Sequence, residues 1–213
     1  MYKEVFLQIP ADIKQTLATE AGIVLDDFDP FASSFVAADV QKNIVFATSG
    51  GLKISCAQEI LDHGSDVDNI KRKYKGFADV GMTTCTISGT AVAVSPEKFD
   101  YLLSASTKEV SEKDPTITIV KPSVKLDESS FKKIWYVIPY NDDKGFVAVE
   151  FRDVLCTSGF DWTTSKGGKV TSAFTYEAYA DEATPDTVPM TIYIKRNGNT
   201  ETVTPTATEG EGK

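Results

Sequence analysis

The chain has few of the residues on which much protein chemistry depends. Among 213 residues there is one histidine, His63, and there are three widely spaced cysteines, Cys56, Cys85 and Cys156. Zinc sites usually show close pairs of ligands, so we expect no zinc and predict three buried, reduced thiols. A lone histidine leaves a His-dependent nucleophile with no second candidate base. We therefore predict no His-dependent catalytic site.

Long apolar runs and an excess of basic residues are also missing. No run approaches the roughly 18 residues of a membrane span, and the opening MYKEVFLQIPADIK has charges and a proline where a signal peptide is apolar. The formal net charge of −9 disfavours general binding to nucleic acids and to anionic membranes. We expect synthesis in a cytoplasm and no membrane partner.

The patterns that are present are mostly those of β-strands. Residues 82–94 (MTTCTISGTAVAV) are rich in Thr, Val and Ile, and residues 189–196 (PMTIYIKR) form a last short strand. Residues 134–140 (IWYVIPY) and 146–155 (FVAVEFRDVL) flank the turn signal NDDKG, which predicts a hairpin. We predict a mainly β chain: a β-sandwich or partial barrel of antiparallel strands with long loops.

A second hairpin is predicted from GFDWTTS, the turn KGGK and VTSAFTYEAYA. Side chains alternate between the two faces of a strand. This alternation places one set on a face suited to a core, namely Val170, Ser172, Phe174, Tyr176 and Ala178.

Helix signals are few. One flanking α-helix is predicted at about residues 96–104, with Ser95 as N-cap, Pro96 at the first position and Glu97 in the first turn. The segment PFASSFVAAD (30–39) is a weaker candidate for a second, short helix.

We predict a single β domain over residues 1–198, in which residues 1–25 form an arm plus a strand. Residues 199–213 are Thr-, Glu- and Gly-rich. Such a composition buries too little apolar surface to offset ordering entropy, so we predict a flexible C-terminal tail.

Residues 59–77 (EILDHGSDVDNIKRKYKGF) concentrate acids, the one histidine and a basic run. A calcium loop of the EF-hand type needs acids at positions 1, 3 and 5, Gly at 6 and Glu at 12. Counting from Asp62 places Lys73 at position 12, and counting from Asp66 places Lys71 at position 6, so the motif fails in both registers. We predict no metal site, and Asp62, Asp66 and Asp68 are the only candidates for a looser one.

The order of several motifs resembles the major tail tube proteins of long-tailed (siphovirus-type) bacteriophages and prophages. The resemblance covers roughly residues 20–196. The matching motifs are a Gly-Gly strand start, an acidic segment, an aromatic strand and a closing turn before a short strand. Here they are Gly50 and Gly51, residues 64–69, residues 134–136 and residues 186–189.

The resemblance implies a structural virion protein without catalysis or cofactor. Its copies would form hexameric rings that stack into a tail tube through which DNA passes transiently and without sequence specificity during delivery to the host. Partners would be other copies and tail proteins such as the tape measure and the tail terminator. It would be assembled in the bacterial host cytoplasm and located in the virion tail.

If the chain is a tail tube protein, the charged segment 59–77 is a candidate subunit-contact loop. Charges of both signs at an interface affect how two copies align and which partner is bound. Its predicted contact residues are Asp62, Asp66, Asp68, Asn69, Lys71, Arg72 and Lys73. The alternative function is a non-catalytic β-rich binding module that recognises a protein or carbohydrate surface. A third hypothesis is an enzyme with dispersed carboxylates, since no two of the 31 acidic residues are marked as a catalytic pair.

Overall fold

A computed structural model describes residues 21–64, 67–141, 145–164 and 166–196. Within these residues it contains nine β-strands and a few short helices. The strands, in chain order, are β1 (Ile23–Leu25), β2 (Ile44–Asp62), β3 (Ala78–Val94), β4 (Ser106–Val110), β5 (Thr118–Pro122), β6 (Lys132–Pro139), β7 (Phe146–Cys156), β8 (Ser172–Ala178) and β9 (Met190–Lys195).

Six of the strands close into a barrel. The order is β6-β1-β2-β3-β8-β7, and β6 also pairs with β7, which completes the circle. Every one of these pairings is antiparallel. β9 pairs with the first half of β7 outside this circle, and β4 and β5 form a separate hairpin. The predicted mainly β, antiparallel architecture is confirmed.

The main core is formed by side chains of the six barrel strands. Phe46 of β2 lies against Phe174 of β8, with ring centroids 4.6 Å apart, and its ring is nearly parallel to that of Tyr176 at 6.4 Å. The predicted alternation of β8 is confirmed, since Ser172, Phe174, Tyr176 and Ala178 are all buried. The Tyr176 hydroxyl is buried as well and donates a hydrogen bond of 2.6 Å to the carbonyl of Tyr101.

A second, smaller core lies on the opposite face of β1, β6 and β7. It contains Leu25, Trp135, Phe146 and Ala148. Phe28 packs its ring against both Trp135 and Phe146, at centroid distances of 5.7 and 5.4 Å. Strands that are buried on both faces explain why β6 and β7 read as continuous apolar runs.

The helices differ from the expectation in detail. The segment predicted as an α-helix at 96–104 is a 3₁₀ helix, Pro96–Leu102, with non-helical angles at Lys98. Ser95 does not cap it, because its hydroxyl donates to the carbonyl of Ile44 at 3.1 Å. Burial of Leu102 and an ion pair from Asp100 to Lys132 at 3.1 Å fix this short segment without a regular helix.

Other short helical segments lie in the connections. The second predicted helix is present as α1 (Ala37–Lys42), which begins later than residue 30. Two further 3₁₀ turns lie at Lys75–Phe77 and Glu128–Ser130. In the described part of the chain, no helix combines the length and the apolar character needed to span a membrane.

The two predicted hairpins have different outcomes. β6 and β7 pair as predicted around the turn signal. The second hairpin is reduced to one bridge, between Thr163 and Thr171, because β8 already pairs with β3 on one edge and β7 on the other. The predicted arm at 1–25 lies outside the described residues up to residue 20, and Ile23–Leu25 is a strand. The predicted tail at 199–213 also lies outside them.

The prediction of three buried cysteines is correct for Cys85 and Cys156 and wrong for Cys56, which is exposed. Cys56 lies just before the arm, in the part of β2 beyond its pairing with β1, so its apolar and small neighbours in the sequence do not bury it. All three thiols are free in the structure.

Candidate self-assembly surface

The strands β2 and β3 extend well beyond the barrel as a two-stranded ribbon. Pairing between β3 and β8 ends at Cys85, opposite Ala178, and β1 reaches β2 only at Ile44 and Phe46. β2 and β3 nevertheless pair with each other as far as Asp62 and Ala78. We call residues 57–62 and 78–84, with the connecting tip loop 63–77, the arm.

The outer edges of the arm offer backbone hydrogen bonds. Among the described residues, no third strand pairs with residues 57–62 of β2 or residues 78–84 of β3. A strand with a free edge presents a row of N–H and C=O groups that a further strand can bind. The arm therefore has two edges on which a strand of another chain can pair.

Apolar side chains on the arm are exposed as well. Ile60 and Val80 lie directly opposite each other, so they share one face, and they are 62% and 52% exposed. Met82 is 72% exposed, and Tyr74 and Phe77 are exposed at the tip loop. A contiguous group of large exposed apolar side chains is typical of an interaction surface.

The tip loop contains the residues predicted from the sequence as a contact loop. Asp62 accepts a hydrogen bond from the Gly64 amide at 3.0 Å, which turns the chain at the end of β2. Asn69 adopts the left-handed backbone conformation, with φ of 70°. Asp68 is exposed and next to it. Asp66 lies outside the described residues.

The basic half of the tip loop lies beside Asp62. The structure brings Asp62, Lys71, Arg72 and Lys73 together around a shallow depression of about 200 Å³. The three basic side chains are exposed, and none of the ion pairs within the described residues includes them. The depression is therefore lined by side chains of both charge signs.

The tip loop does not assemble a chemical centre from the residues that the structure describes. No group of three or more His, Cys, Asp or Glu side chains there is placed to hold a metal ion. His63 lies at the start of the loop, with its Nε2 4.0 Å from the Asp79 carboxylate, and both side chains are exposed. The absence of a metal site at Asp62, Asp66 and Asp68 stays a prediction, since Asp66 lies outside the described residues.

The buried acid of the barrel has a structural role instead. Glu150 of β7 accepts an ion pair from Lys133 at 2.8 Å and a hydrogen bond from the Tyr193 hydroxyl at 3.1 Å. Desolvation and this bond to the carboxylate raise the pKa of Tyr193. Both carboxylate oxygens are satisfied, so Glu150 links β6, β7 and β9.

A second free edge lies at β9, which the sequence does not mark. β9 pairs only with β7 among the described strands, and its Ile192 and Ile194 side chains are exposed. The alternating pattern of the segment predicts a strand, but the position of that strand at an edge depends on the order of all the others.

An aromatic group lies near the 3₁₀ helix, away from the arm. Phe99, Phe160 and Trp162 pack together, with centroids between 5.0 and 5.7 Å apart. Phe99 and Trp162 line a cavity of about 560 Å³ between the barrel and the β4–β5 hairpin. The buried Ser172 also lines it, and the Ser172 hydroxyl has no hydrogen-bond partner among the described residues.

Comparison with known proteins leaves the family open. No protein-family model matches the chain, and neither does any curated protein. Two chains of similar structure come from gene transfer agent particles, one from the virion of a native particle and one from the tail of an empty particle with C6 symmetry. They are 13% and 12% identical, cover 75% of this chain and 92% of each of those, and have TM-scores of 0.36 and 0.37.

A third similar chain comes from the tube-terminating cap of an anti-feeding prophage. It is 12% identical over 88% of this chain and 93% of that one, with a TM-score of 0.42. At these identities and TM-scores, the three similarities do not assign the chain to a family.

Proposed function

We propose that the protein is a structural subunit of a phage-type tail tube, made of hexameric rings that stack. The observation that supports this most is the arm, which combines two unpaired strand edges, exposed apolar side chains and a two-signed tip loop in one projection. Within the described part of one chain, both edges of this ribbon are unpaired and its large apolar side chains are exposed. In an assembly of identical copies, neighbouring chains can satisfy all of them.

The strand edges supply the main contacts in this proposal. An edge residue that pairs with a neighbouring strand exchanges water for backbone hydrogen bonds, each of which contributes about 1 kcal/mol net. The apolar side chains Ile60, Val80 and Met82 add burial, worth about 25 cal/mol per Å² of apolar surface removed from water. The arm thus supplies both a backbone template and an apolar face for copies of the same chain.

The tip loop supplies orientation in this proposal. Charged side chains at the rim of an interface affect partner choice and register more than affinity. Asp62 and Asp68 would meet the basic side chains of Lys71, Arg72 and Lys73 on a neighbouring copy. We propose these residues, together with Asp66 and Asn69, as the subunit-contact loop.

The charge of the chain fits a passage for DNA. With 31 acidic and 22 basic residues, a channel formed from many copies would carry a negative potential. Phosphates are repelled by such a wall, so DNA would slide without sticking. The proposed partners are other copies, a tape measure and a tail terminator, and the proposed location is the virion tail after assembly in the host cytoplasm.

Electron microscopy of the concentrated protein tests the proposal. We expect rings or hollow tubes in negative stain. Reversing Lys71, Arg72 and Lys73 to Glu should abolish polymer formation and leave the circular dichroism and unfolding midpoint of the monomer unchanged. A matched control reverses three other exposed lysines, Lys113, Lys125 and Lys166, so that the change in net charge is the same.

Two results would contradict the proposal. A protein that stays monomeric at high concentration under every salt condition would argue against a tube subunit. Polymerisation of the tip-loop variant to the same extent as the control variant would show that the tip loop is not part of the interface.

A second candidate function is a non-catalytic module that binds a protein or carbohydrate surface. The cavity near Trp162 favours it, because its volume falls within the range of about 300–1,000 Å³ typical of ligand sites. It also contains an unpaired buried hydroxyl, from Ser172. Trp162 is half exposed whereas Trp135 is buried, so a saturable change in tryptophan fluorescence on adding a glycan or peptide, lost in Trp162→Phe, would support this function.

A further inference from the structure

Two of the three cysteines face each other across the root of the arm. Cys56 of β2 and Cys85 of β3 are directly opposite in the antiparallel register, and their sulfur atoms are 3.1 Å apart. The third cysteine, Cys156, lies elsewhere in the barrel, where its sulfur is 3.7 Å from the Leu102 carbonyl and 3.5 Å from the Ser158 hydroxyl.

The placement of the first pair meets the geometric needs of a disulfide. Residues directly opposite on antiparallel strands have Cα atoms about 4.5 or 5.5 Å apart, and disulfides form at Cα separations of about 4.4–6.8 Å. The sulfur atoms of Cys56 and Cys85 need to approach by about 1 Å to reach bonding distance. Side-chain rotation can supply this movement while the strands stay paired.

Access to the two thiols is unequal. Cys56 is exposed, whereas Cys85 is fully buried against the barrel core. A reagent in solution therefore reaches Cys56 first, and Cys85 can react only with a sulfur that is already beside it. This arrangement resembles an attacking thiol and a resolving thiol.

We propose that Cys56 and Cys85 form a site of reversible oxidation that reacts with small-molecule disulfides such as oxidised glutathione. The Cys56 thiolate attacks one sulfur of the reagent, forms a mixed disulfide and releases one glutathione thiolate. The Cys85 thiolate then attacks the Cys56 sulfur, forms the intramolecular disulfide and releases the second glutathione. The protein loses two protons and two electrons, and one oxidised glutathione becomes two reduced ones.

The second step depends on pH. Burial, followed by the hydrogen bond and charge of Cys56, raises the pKa of Cys85 from 9.0 to about 12. The thiolate is the reactive form, and below the pKa its fraction rises about tenfold for each pH unit. In the mixed disulfide Cys56 has neither the charge nor the thiol hydrogen bond, but burial, the largest cause, still raises the pKa of Cys85. The ring-closing step is therefore slow near neutral pH and accelerates as the pH increases.

The position of the pair gives the bond a structural consequence. Cys85 is the first residue of β3 that pairs with β8, and Cys56 lies just before the arm. A disulfide here fixes the two arm strands where they leave the barrel and closes a loop through residues 57–84. This site is independent of the proposed tube function, since the chemistry needs only the folded monomer.

Mass spectrometry of the native protein tests the site. The reduced protein is incubated with oxidised glutathione at mildly alkaline pH, and free thiols are then alkylated under denaturing conditions. We expect the loss of two hydrogens, alkylation of Cys156 alone, and a peptide linking Cys56 to Cys85. The denaturant midpoint of the oxidised protein should rise, because the crosslink restricts the unfolded chain.

Three single variants separate the roles. Cys85→Ser should stop at one glutathione adduct on Cys56, Cys56→Ser should not react while folded, and the matched control Cys156→Ser should oxidise like the original protein. A wild-type product that remains a glutathione adduct, or a linkage that includes Cys156, would overturn the proposal.

Discussion

The strands β2 and β3 pass through two very different environments, although they pair with each other along nearly their whole length. At the barrel end, Phe46 and Ile87 are buried, while at the arm end Ile60 and Val80 are mostly exposed. The pairing is antiparallel in both places. The difference comes from the neighbours, because β1 and β8 cover only the barrel end.

This comparison separates stability from assembly within one pair of strands. The barrel end supplies core packing for the monomer, whereas among the residues that the structure describes no further layer packs against the arm end. A two-stranded ribbon alone is marginally stable in water. We therefore expect substitutions at the two ends to affect different measurements, and the following predictions run from the largest expected effect to the smallest.

Two isoleucines on these strands give a matched pair. Ile87→Ala removes a fully buried side chain of the core, so we expect the free energy of unfolding to fall by about 2–5 kcal/mol. Ile60→Ala changes an exposed side chain and should stay within about 0.5 kcal/mol, while it weakens self-assembly. Urea unfolding and sedimentation measure the two effects, and equal destabilisation by both variants would show that the arm is folded as part of the core.

The buried hydroxyl of Tyr176 allows a test by pH. Burial raises the pKa of Tyr176 well above 10.0, so the folded state keeps a proton that the unfolded state releases in alkali. The stabilisation from this group is fully present below the unfolded-state pKa and declines as the pH rises above it, by up to about 1.4 kcal/mol per pH unit.

We expect Tyr176→Phe to reduce the alkaline loss of stability, at a cost near neutral pH of about 1 kcal/mol for the lost hydrogen bond to Tyr101. The matched control is Tyr74→Phe, which removes a hydroxyl from an exposed side chain of the tip loop. Unfolding midpoints measured from neutral pH to strong alkali give the result. Identical profiles for the two variants would contradict the assignment.

The glycines between the barrel and the arm give the smallest predicted effect. Gly50 and Gly51 have φ of +78° and +80°, and an added methyl group would meet no atom within 4 Å at either position. Alanine at either position should lower the free energy of unfolding by about 1 kcal/mol, because only the left-handed backbone conformation is unfavourable for it. Gly76 is equally open and is not left-handed, so Gly76→Ala should change stability by less than about 0.5 kcal/mol. Equal effects at the three positions would refute the backbone explanation.

Local patterns were sufficient to predict several elements. The alternation of residues 170–178 identifies the buried face of β8, because alternate side chains on a strand share a face whatever the strand order. The turn signal between β6 and β7 predicts their pairing, because a short turn places the two flanking strands side by side. The charged character of the tip loop is also visible, since surface charge is a property of composition.

The free edges could not be predicted in this way. Residues 82–94 read as one uniform strand, yet burial begins only at Cys85, where β8 starts to pair. Which residues of a strand are covered depends on partners distant in the chain. The same reason explains why Cys56 looks buried in the sequence and is exposed in the structure.

The glycine pair in β2 also determines which side chains face inward. Ser49 pairs with Thr90 and Leu52 with Gly89, so β2 holds two additional residues against a single step of β3. Successive side chains of a strand point to opposite faces of the sheet. An insertion of two residues therefore leaves the later side chains on the same faces, whereas an insertion of one residue moves each of them to the other face. Deleting both glycines would keep every later side chain on its present side, whereas deleting one would turn Cys56 away from Cys85.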